Sequence, residues 1–259
     1  MLLVNEFPKS GGTWVVTALG RYLGWSRADL YDLRPEPRRV DNRHPWYLED
    51  ATDPLSRPAS TVLKGHELPF SELLDTDTPV IHLVRNPLDV AVSLWFYESE
   101  FLPANDLGEV PELARDQHLQ TTVARWSQFV AAWCATDAPL VTYEGLRTGA
   151  VGPLLRALHR FGFNADEDWL RQTLADETPT ASRNALDLRF SHNTFVRKAA
   201  IGDWVNHIDQ EQAARLLICA ADGLEALRAA DRTSESSPLL EAFADSLADH
   251  GVAPPCVAG

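Results

Sequence analysis

The chain has 259 residues, 45% hydrophobic and 23% charged, which is typical of a soluble globular protein and sufficient for one well-buried α/β domain. Its formal net charge of −14 argues against broad binding to nucleic acid or to an anionic membrane, because both require a basic face. The three cysteines, Cys134, Cys219 and Cys256, lie far apart, so neither a disulfide framework nor a zinc site is indicated.

The chain opens with a predicted buried strand that is followed by a helix. The apolar residues 2–4 and Phe7 indicate the strand, and Pro8 cannot continue a ladder of backbone hydrogen bonds. Helical spacing of apolar residues begins at Thr13, and Gly24 is a typical helix stop. Because this start is a core strand and not a leader segment, and no apolar run reaches membrane-spanning length, we expect a cytoplasmic protein.

The turn between these two elements, NEFPKSGGTW, has the composition of an anion site. Lys9 supplies a full charge, Ser10 and Thr13 supply hydroxyl donors, and Gly11 and Gly12 allow close approach of the backbone. Unpaired amides at the start of the following helix also favour an anion. The spacing matches neither the nucleoside-triphosphate P-loop, whose lysine follows its glycines, nor the dinucleotide fingerprint. The alternative is an ordinary strand-to-helix connection with a surface lysine.

The rest of the chain alternates strands with helices. We predict a long loop over 29–57, strands over 61–63, 79–84 and 140–143, a surface flap over 98–118, and helices with inner residues over 90–97, 119–133, 154–161, 216–227 and 237–249. Alternation of this kind predicts a single-domain α/β fold with a central, mainly parallel sheet flanked by helices. We assign residues 1–230 to the domain body and residues 231–259 to a C-terminal helix and flexible tail of the same domain.

Two further basic clusters accompany the lysine turn. Arg85 ends a predicted strand and Ser93 lies on the helix after it, a fork and a hydroxyl suited to phosphate, although an Arg-Asn-Pro turn is often structural. Arg197 and Lys198 form a pair that is by itself usually a solvated surface. Together with the lysine turn, these clusters predict two separate anion sites joined by a flat group.

These motifs resemble the cytosolic-type sulfotransferases, which use 3′-phosphoadenosine 5′-phosphosulfate (PAPS), in the manner of bacterial members that act on small molecules. The family loop Pro-Lys-Ser-Gly-Thr-Thr-Trp is matched by residues 8–14, its Arg-Asn-Pro…Ser segment by residues 85–93, and its Arg-Lys-Gly-x-x-Gly-Asp-Trp segment by residues 197–204. The resemblance implies the sulfotransferase fold, which is similar to that of P-loop NTPases.

The resemblance also implies a set of donor-binding residues. Those for the 5′ side are Lys9, Ser10, Gly11, Gly12 and Thr13; those for the 3′-phosphate are Arg85, Ser93, Arg197 and Lys198; and Trp14 and Tyr143 are those for adenine. Gly12 stands where the family has a threonine, which removes one hydroxyl. Ala199, at a position included in the cofactor site, stands where the family has a glycine, which is harmless only if its φ is negative. Leu174 aligns with a phenylalanine that often stacks on adenine in the family.

The segment LKGHELPF is similar to the family's Lys-Thr-His-Leu-Pro and supplies the catalytic residues. Neutral His66 is implied as the general base, and Glu67 is the rival base. Lys9 is implied to stabilise the leaving 5′-phosphate, while Lys64 and Ser93 complete the catalytic set. No metal is expected, since no ligand cluster is visible in the sequence.

The resemblance thus implies transfer of a sulfuryl group from PAPS to a hydroxyl or amine of a small-molecule acceptor by in-line displacement, releasing adenosine 3′,5′-bisphosphate (PAP). An acceptor pocket is expected from Trp95, Phe96, Tyr97 and Phe101. The alternatives are an ATP-dependent small-molecule phosphotransferase and a non-catalytic nucleotide-binding module. Neither the acceptor nor the oligomeric state follows from the sequence.

Overall fold

A sheet of five parallel strands forms the centre of the molecule, in the order β2-β3-β1-β4-β5. The strands are β1 (Leu2–Glu6), β2 (Ser26–Asp29), β3 (Thr61–Gly65), β4 (Val80–Val84) and β5 (Leu140–Thr142). The computed structural model describes residues 1–29, 60–69, 78–177 and 199–233. Of the loop predicted over 29–57, only residue 29 is described, at the end of β2. The Arg197–Lys198 pair and the predicted helix over 237–249 lie outside the described residues.

Helices connect the strands and follow them. They are α1 (Gly12–Leu23), α2 (Pro87–Phe96), a π-helix (Tyr97–Phe101), the single turn α3 (Leu102–Ala104), α4 (Arg115–Cys134), α5 (Tyr143–Arg147), α6 (Gly152–Arg160), α7 (Glu167–Asp176), a 3₁₀ turn (Asp203–Asn206), α8 (Gln210–Cys219) and α9 (Ala221–Thr233). Local chemistry fixes the ends of the first two α-helices. Gly24, with φ of 66°, ends α1, and the Asn86 side chain accepts from the Leu88 amide at the start of α2.

Helices cover both faces of the sheet, so the strands are buried on both sides. One apolar core joins α2, α4, α8 and α9 to the sheet, and includes the fully buried Trp126 and nearly buried Trp133. A second core joins α1, α6 and α7 to the opposite face. Both tryptophans lie on the helix predicted over 119–133, and the predicted parallel α/β fold is confirmed.

The strand order places a crevice at the ends of β1 and β4. The chain leaves β1 toward β2 on one side of the sheet and leaves β4 toward β5 on the other side. In parallel sheets, ligands bind beyond the carboxyl ends of the strands at such a reversal. The lysine turn follows β1 and Arg85 follows β4, so both predicted anion sites border this crevice.

Three sequence predictions need correction. Strand β2 was not expected, because its sequence Ser-Arg-Ala-Asp lacks an apolar run. The flap predicted over 98–118 is in large part helical, since the π-helix and α3 continue α2 and α4 begins at Arg115. The single helix predicted over 216–227 is two helices that meet at Ala220, and α9 extends through residues 231–233. No helix within the described ranges is long and apolar enough to cross a membrane.

Candidate active site

The lysine loop, residues 7–13, joins β1 to α1 and has an unusual backbone. Lys9 and Gly11 both have positive φ values, 73° and 102°. A Cβ on Gly11 would overlap the ring of Tyr143, so glycine is required both for this φ and for the close approach. Ser10 is fully buried, and its Oγ has no hydrogen-bond partner among the described residues. A buried hydroxyl of this kind is a donor that a ligand would satisfy.

A carboxylate lies at the helix end of this loop. Glu6, the last residue of β1, is only 2% exposed, and its Oε2 accepts a hydrogen bond of 2.5 Å from the Gly12 amide. Because Gly12 is the first residue of α1, this carboxylate lies where unpaired amides and the helix dipole favour an anion. The sequence predicted that a ligand anion binds at this position, but it did not predict a carboxylate of the protein itself there.

Two cationic side chains from neighbouring strands contact the lysine loop, which contributes a third cation, Lys9. Lys64, a buried residue of β3, donates to the Thr13 hydroxyl at 3.3 Å. Arg85, at the end of β4, donates from Nη1 to the carbonyl oxygen of Lys9 at 3.1 Å. The predicted residues Lys9, Thr13, Lys64 and Arg85 are therefore brought together.

The ammonium of Lys9 lies 4.2 Å from the ring centroid of Tyr97, a cation–π contact. Burial, together with the nearby charges of Lys64 and Arg85, lowers the pKa of Lys9 to about 7, and the Glu6 carboxylate opposes this shift. A bound anion beside Lys9 would favour its ammonium form.

His66 lies beside the lysine loop in a fixed orientation. Its Nδ1 lies 2.8 Å from the carbonyl oxygen of Glu6. Since a carbonyl only accepts, Nδ1 carries the proton in this contact and Nε2 presents the lone pair. This tautomer is the one in which Nε2 can accept a proton.

Side-chain hydrogen bonds hold the backbone of the residue after His66. Asn5, fully buried in β1, donates from Nδ2 to the carbonyl oxygen of Glu67 at 2.7 Å and accepts from the Glu67 amide at 3.0 Å. The Trp133 indole also donates to the Glu67 carbonyl, at 2.9 Å. These contacts extend the β1–β3 pairing beyond Gly65 and thereby position the backbone of His66.

Arg85 joins the lysine loop to the third motif. While Nη1 binds the Lys9 carbonyl, Nη2 donates to the carbonyl oxygen of Ala200 at 2.9 Å. The guanidinium also lies 4.5 Å from the ring centroid of Tyr143. The basic residues Arg197 and Lys198 lie outside the described residues, but the backbone that follows them is on the same edge of the sheet as Lys9.

Two buried carboxylates fix the turns around Arg85. Asp89 accepts from the amides of Gly202 and Trp204, at 2.8 and 3.0 Å. Glu144 accepts from the Asn86 amide at 2.9 Å, and burial raises its pKa to about 7. Residues that sequence analysis did not single out therefore assemble the motifs that it did.

The predicted adenine residues are buried and in contact with each other. The rings of Trp14 and Tyr143 meet edge to face at 5.7 Å, and the Arg147 guanidinium lies 5.6 Å from the Trp14 ring centroid. The Tyr143 phenol donates to the carbonyl oxygen of Ala199 at 2.8 Å. Their contact with adenine stays a prediction. Leu174 is buried on α7 in the core on the α1 side of the sheet.

Ala199 has a φ of 54°, in the region that favours glycine. The condition under which the loss of the family glycine would be harmless, a negative φ, is therefore not met.

The helix beyond Arg85 borders the site through Tyr97. Ser93 is half-buried on α2, and Tyr97 begins the π-helix, a rare element that is frequent at functional sites. Phe101 is fully buried and stacks on Tyr97, with ring centroids 5.3 Å apart. Trp95 and Phe96 contact the rings of His118 and His207, respectively. Tyr97, one of the residues expected at the acceptor pocket, thus contacts the predicted catalytic residue Lys9.

Comparison with known proteins decides the family, because the family model described as "Sulfotransferase domain" matches residues 2–219. The chain belongs to this family. Sulfotransferase 2B1 of Mus musculus is 26% identical to this sulfotransferase over 235 residues, which cover 82% of the chain and 68% of that protein. Sulfotransferase 2A2 of Rattus norvegicus is 27% identical over 236 residues, covering 82% of the chain and 80% of that protein.

Solved structures share the fold of this sulfotransferase. Mouse sulfotransferase SULT7A1 complexed with PAP superposes with a TM-score of 0.58 and 17% identity, covering 90% of this chain and 85% of that one. Retinol dehydratase in complex with retinol and PAP gives a TM-score of 0.60 and 18% identity, covering 86% and 80%. The predicted fold, and the prediction of a sulfotransferase enzyme, are confirmed.

Proposed function

We propose that this sulfotransferase transfers the sulfuryl group of PAPS to a hydroxyl or amine of a small-molecule acceptor, with His66 as the general base. The observation that carries the proposal is the hydrogen bond from His66 Nδ1 to the Glu6 carbonyl oxygen. It holds the imidazole against the loop that is proposed to bind the donor and favours the tautomer in which Nε2 can accept the acceptor's proton.

The residues at the site fit an adenosine nucleotide with two anionic ends. At the 5′ end, the buried Ser10 Oγ, which has no partner among the described residues, offers a donor, and Lys9 and Lys64 offer charge. At the 3′ end, Arg85 and Ser93 are the described candidates, with Arg197 and Lys198 proposed beside them. Support for two ends on one nucleotide comes from Arg85, which contacts both the lysine loop and the segment at Ala200.

PAPS supplies the sulfuryl group: its bond from sulfur to the 5′-phosphate breaks, the electron pair stays on the phosphate oxygen, and the acceptor oxygen or nitrogen forms the new bond to sulfur. His66 Nε2 receives the proton that the acceptor loses. In this proposal the Lys9 ammonium stabilises the charge that develops on the 5′-phosphate, and Lys64 assists at the sulfuryl oxygens. Glu67, the rival base, is the residue whose backbone the Asn5 and Trp133 contacts hold.

The acceptor is proposed to bind beside Tyr97. The Tyr97 ring contacts the Lys9 ammonium, and Tyr97 is the first residue of the π-helix. A protein of the same fold, retinol dehydratase, has been solved in complex with retinol and with androsterone. An apolar molecule with one nucleophilic group is therefore the acceptor class that we propose to screen first.

Single-residue variants test the base. His66→Ala is expected to reduce turnover with PAPS and a screened acceptor by about 10²-fold or more, the usual contribution of general acid–base catalysis, while PAP binding is retained. Glu67→Gln tests the rival, and His159→Ala, on the exposed surface of α6, is the matched control that should keep full turnover. Full turnover by His66→Ala with loss of turnover by Glu67→Gln would assign the base to Glu67.

A further inference from the structure

Glu6 is a buried acid that the proposed reaction does not use. It ends a strand whose residues are all buried, and it is 2% exposed. Its carboxylate accepts from the Gly12 amide at 2.5 Å, at the amino-terminal end of a helix of 12 residues. In the same loop, the fully buried Ser10 Oγ has no partner among the residues described. The loop thus holds an anion of its own beside a donor that a ligand would satisfy.

The surroundings of this carboxylate are those of a ligand phosphate. Lys9 interacts electrostatically with Glu6, and Lys9 is also close to Lys64 and Arg85. A Cβ on Gly12 would lie 2.5 Å from the carboxyl carbon of Glu6. The carboxylate therefore occupies the space that a side chain at position 12 would need, and any 5′-phosphate bound by this loop lies within a few ångströms of a fixed negative charge.

We propose that Glu6 is a specificity-determining residue of the donor loop, which favours a 5′-phosphate with one negative charge over a 5′-phosphate with two. This inference rests on the proposed function. In PAPS the phosphorus group of the 5′ anhydride carries one charge, and after sulfuryl transfer the 5′-phosphate of PAP carries two. Glu6 repels the second charge where it develops, so it weakens binding of the product more than binding of the donor and promotes product release.

The test compares two probes that differ in charge at the 5′ end. They are PAP and its 5′-methyl ester, adenosine 3′-phosphate 5′-methylphosphate, in which the methyl group stands where the sulfuryl group is attached. Calorimetry at pH 8 gives the ratio of their Kd values for wild type and for Glu6→Gln, which keeps a hydrogen-bond acceptor for Gly12 and removes the charge. Removing a unit charge a few ångströms away should shift this ratio toward PAP by at least about tenfold. Glu112→Gln removes a charge from the exposed surface and should leave the ratio unchanged.

The outcomes separate this inference from the proposed function. A ratio that stays within about twofold in Glu6→Gln overturns the role of Glu6 while PAP binding by wild type still supports the proposed function. Wild type alone provides a second measurement, in which the ester should bind at least as tightly as PAP; a preference for PAP of more than about tenfold overturns the inference. If wild type binds neither probe, the proposed function fails and the inference fails with it.

Discussion

The Glu6 carboxylate leaves no room for a side chain at position 12, because a Cβ on Gly12 would lie 2.5 Å from the carboxyl carbon of Glu6. Gly12 stands where the sulfotransferase family has a threonine, and the structure explains why this chain has glycine there. A carboxylate at the end of β1 fills the space and accepts from the amide. The two residues are therefore one coupled feature of the donor loop.

This coupling predicts a non-additive pair of substitutions. Gly12→Ala should lower the free energy of unfolding by about 1–3 kcal/mol through overpacking, whereas the same change in a Glu6→Ala background should be nearly neutral. Chemical denaturation of the four proteins gives a coupling energy, expected to exceed about 1 kcal/mol. Gly108→Ala is the control, because its Cβ would meet Leu102 at an ordinary 3.4 Å. Additive effects at Gly12 and Glu6 would refute the coupling.

The left-handed conformation of Ala199 predicts a stabilising substitution. With φ at 54°, Ala199 bears a steric strain that glycine lacks, so Ala199→Gly should raise the free energy of unfolding by up to about 1 kcal/mol. Ala200, whose φ is not positive, is the matched control, and Ala200→Gly should be destabilising by roughly 0.5–1 kcal/mol. Urea denaturation measures both changes. Equal destabilisation by the two substitutions would contradict the assignment of strain to Ala199.

The pKa of Lys9 predicts a pH dependence of PAP binding. Because this pKa is lowered to about 7, the empty protein loses the Lys9 proton as pH rises above that value, and an anion that needs the ammonium form must take the proton up again. Calorimetry should therefore show PAP affinity falling by about tenfold between pH 7.5 and pH 9, a range in which the 5′-phosphate, with a second pKa near 6, is already ionised. Lys9→Arg keeps its charge throughout and should flatten the profile. A wild-type profile as flat as that of Lys9→Arg would contradict the role of Lys9.

Asn5 is expected to position His66. Asn5→Leu removes both hydrogen bonds between the buried Asn5 side chain and the half-buried Glu67 backbone, which should cost about 1–3 kcal/mol of stability and lower kcat. The KM for PAPS should change little, because within the described residues the Asn5 side chain hydrogen-bonds to the Glu67 backbone and not to a predicted donor-binding residue. Separate measurement of kcat and KM distinguishes this role from a general loss of folded protein. Thr61→Val, at a fully buried residue at the opposite end of β3 from His66, is the comparison variant and should retain kcat.

The sequence was sufficient to predict the scaffold because its signals are local. The apolar runs of β1, β3 and β4, the helical spacing on α4 and the stop at Gly24 each depend on neighbouring residues, and the structure agrees with them. Strand β2 was not predicted because its sequence, Ser-Arg-Ala-Asp, lacks the apolar run of a buried strand. It is recognised in the structure by its parallel pairing with β3.

The motif residues were predictable, but the residues that hold them were not. Lys9, Lys64, His66 and Arg85 follow predicted strands and meet at one sheet edge. Asn5, Asp89 and Glu144 act over long separations, such as the 113 residues between Asp89 and Gly202, while Glu6 reaches Gly12 across the turn. A polar or charged residue inside a buried strand, as at positions 5 and 6, is the one local signal that pointed to them.

The central claim is that one adenosine nucleotide with phosphates at both the 3′ and 5′ ends binds between the lysine loop and Arg85. Its most direct measurement is thermal unfolding of the wild-type protein with saturating PAP or ATP. The account predicts that PAP raises Tm far more than ATP does, and that Arg85→Ala, which removes the contacts to Lys9 and Ala200, abolishes most of that difference. Stabilisation by ATP equal to or greater than that by PAP would contradict it.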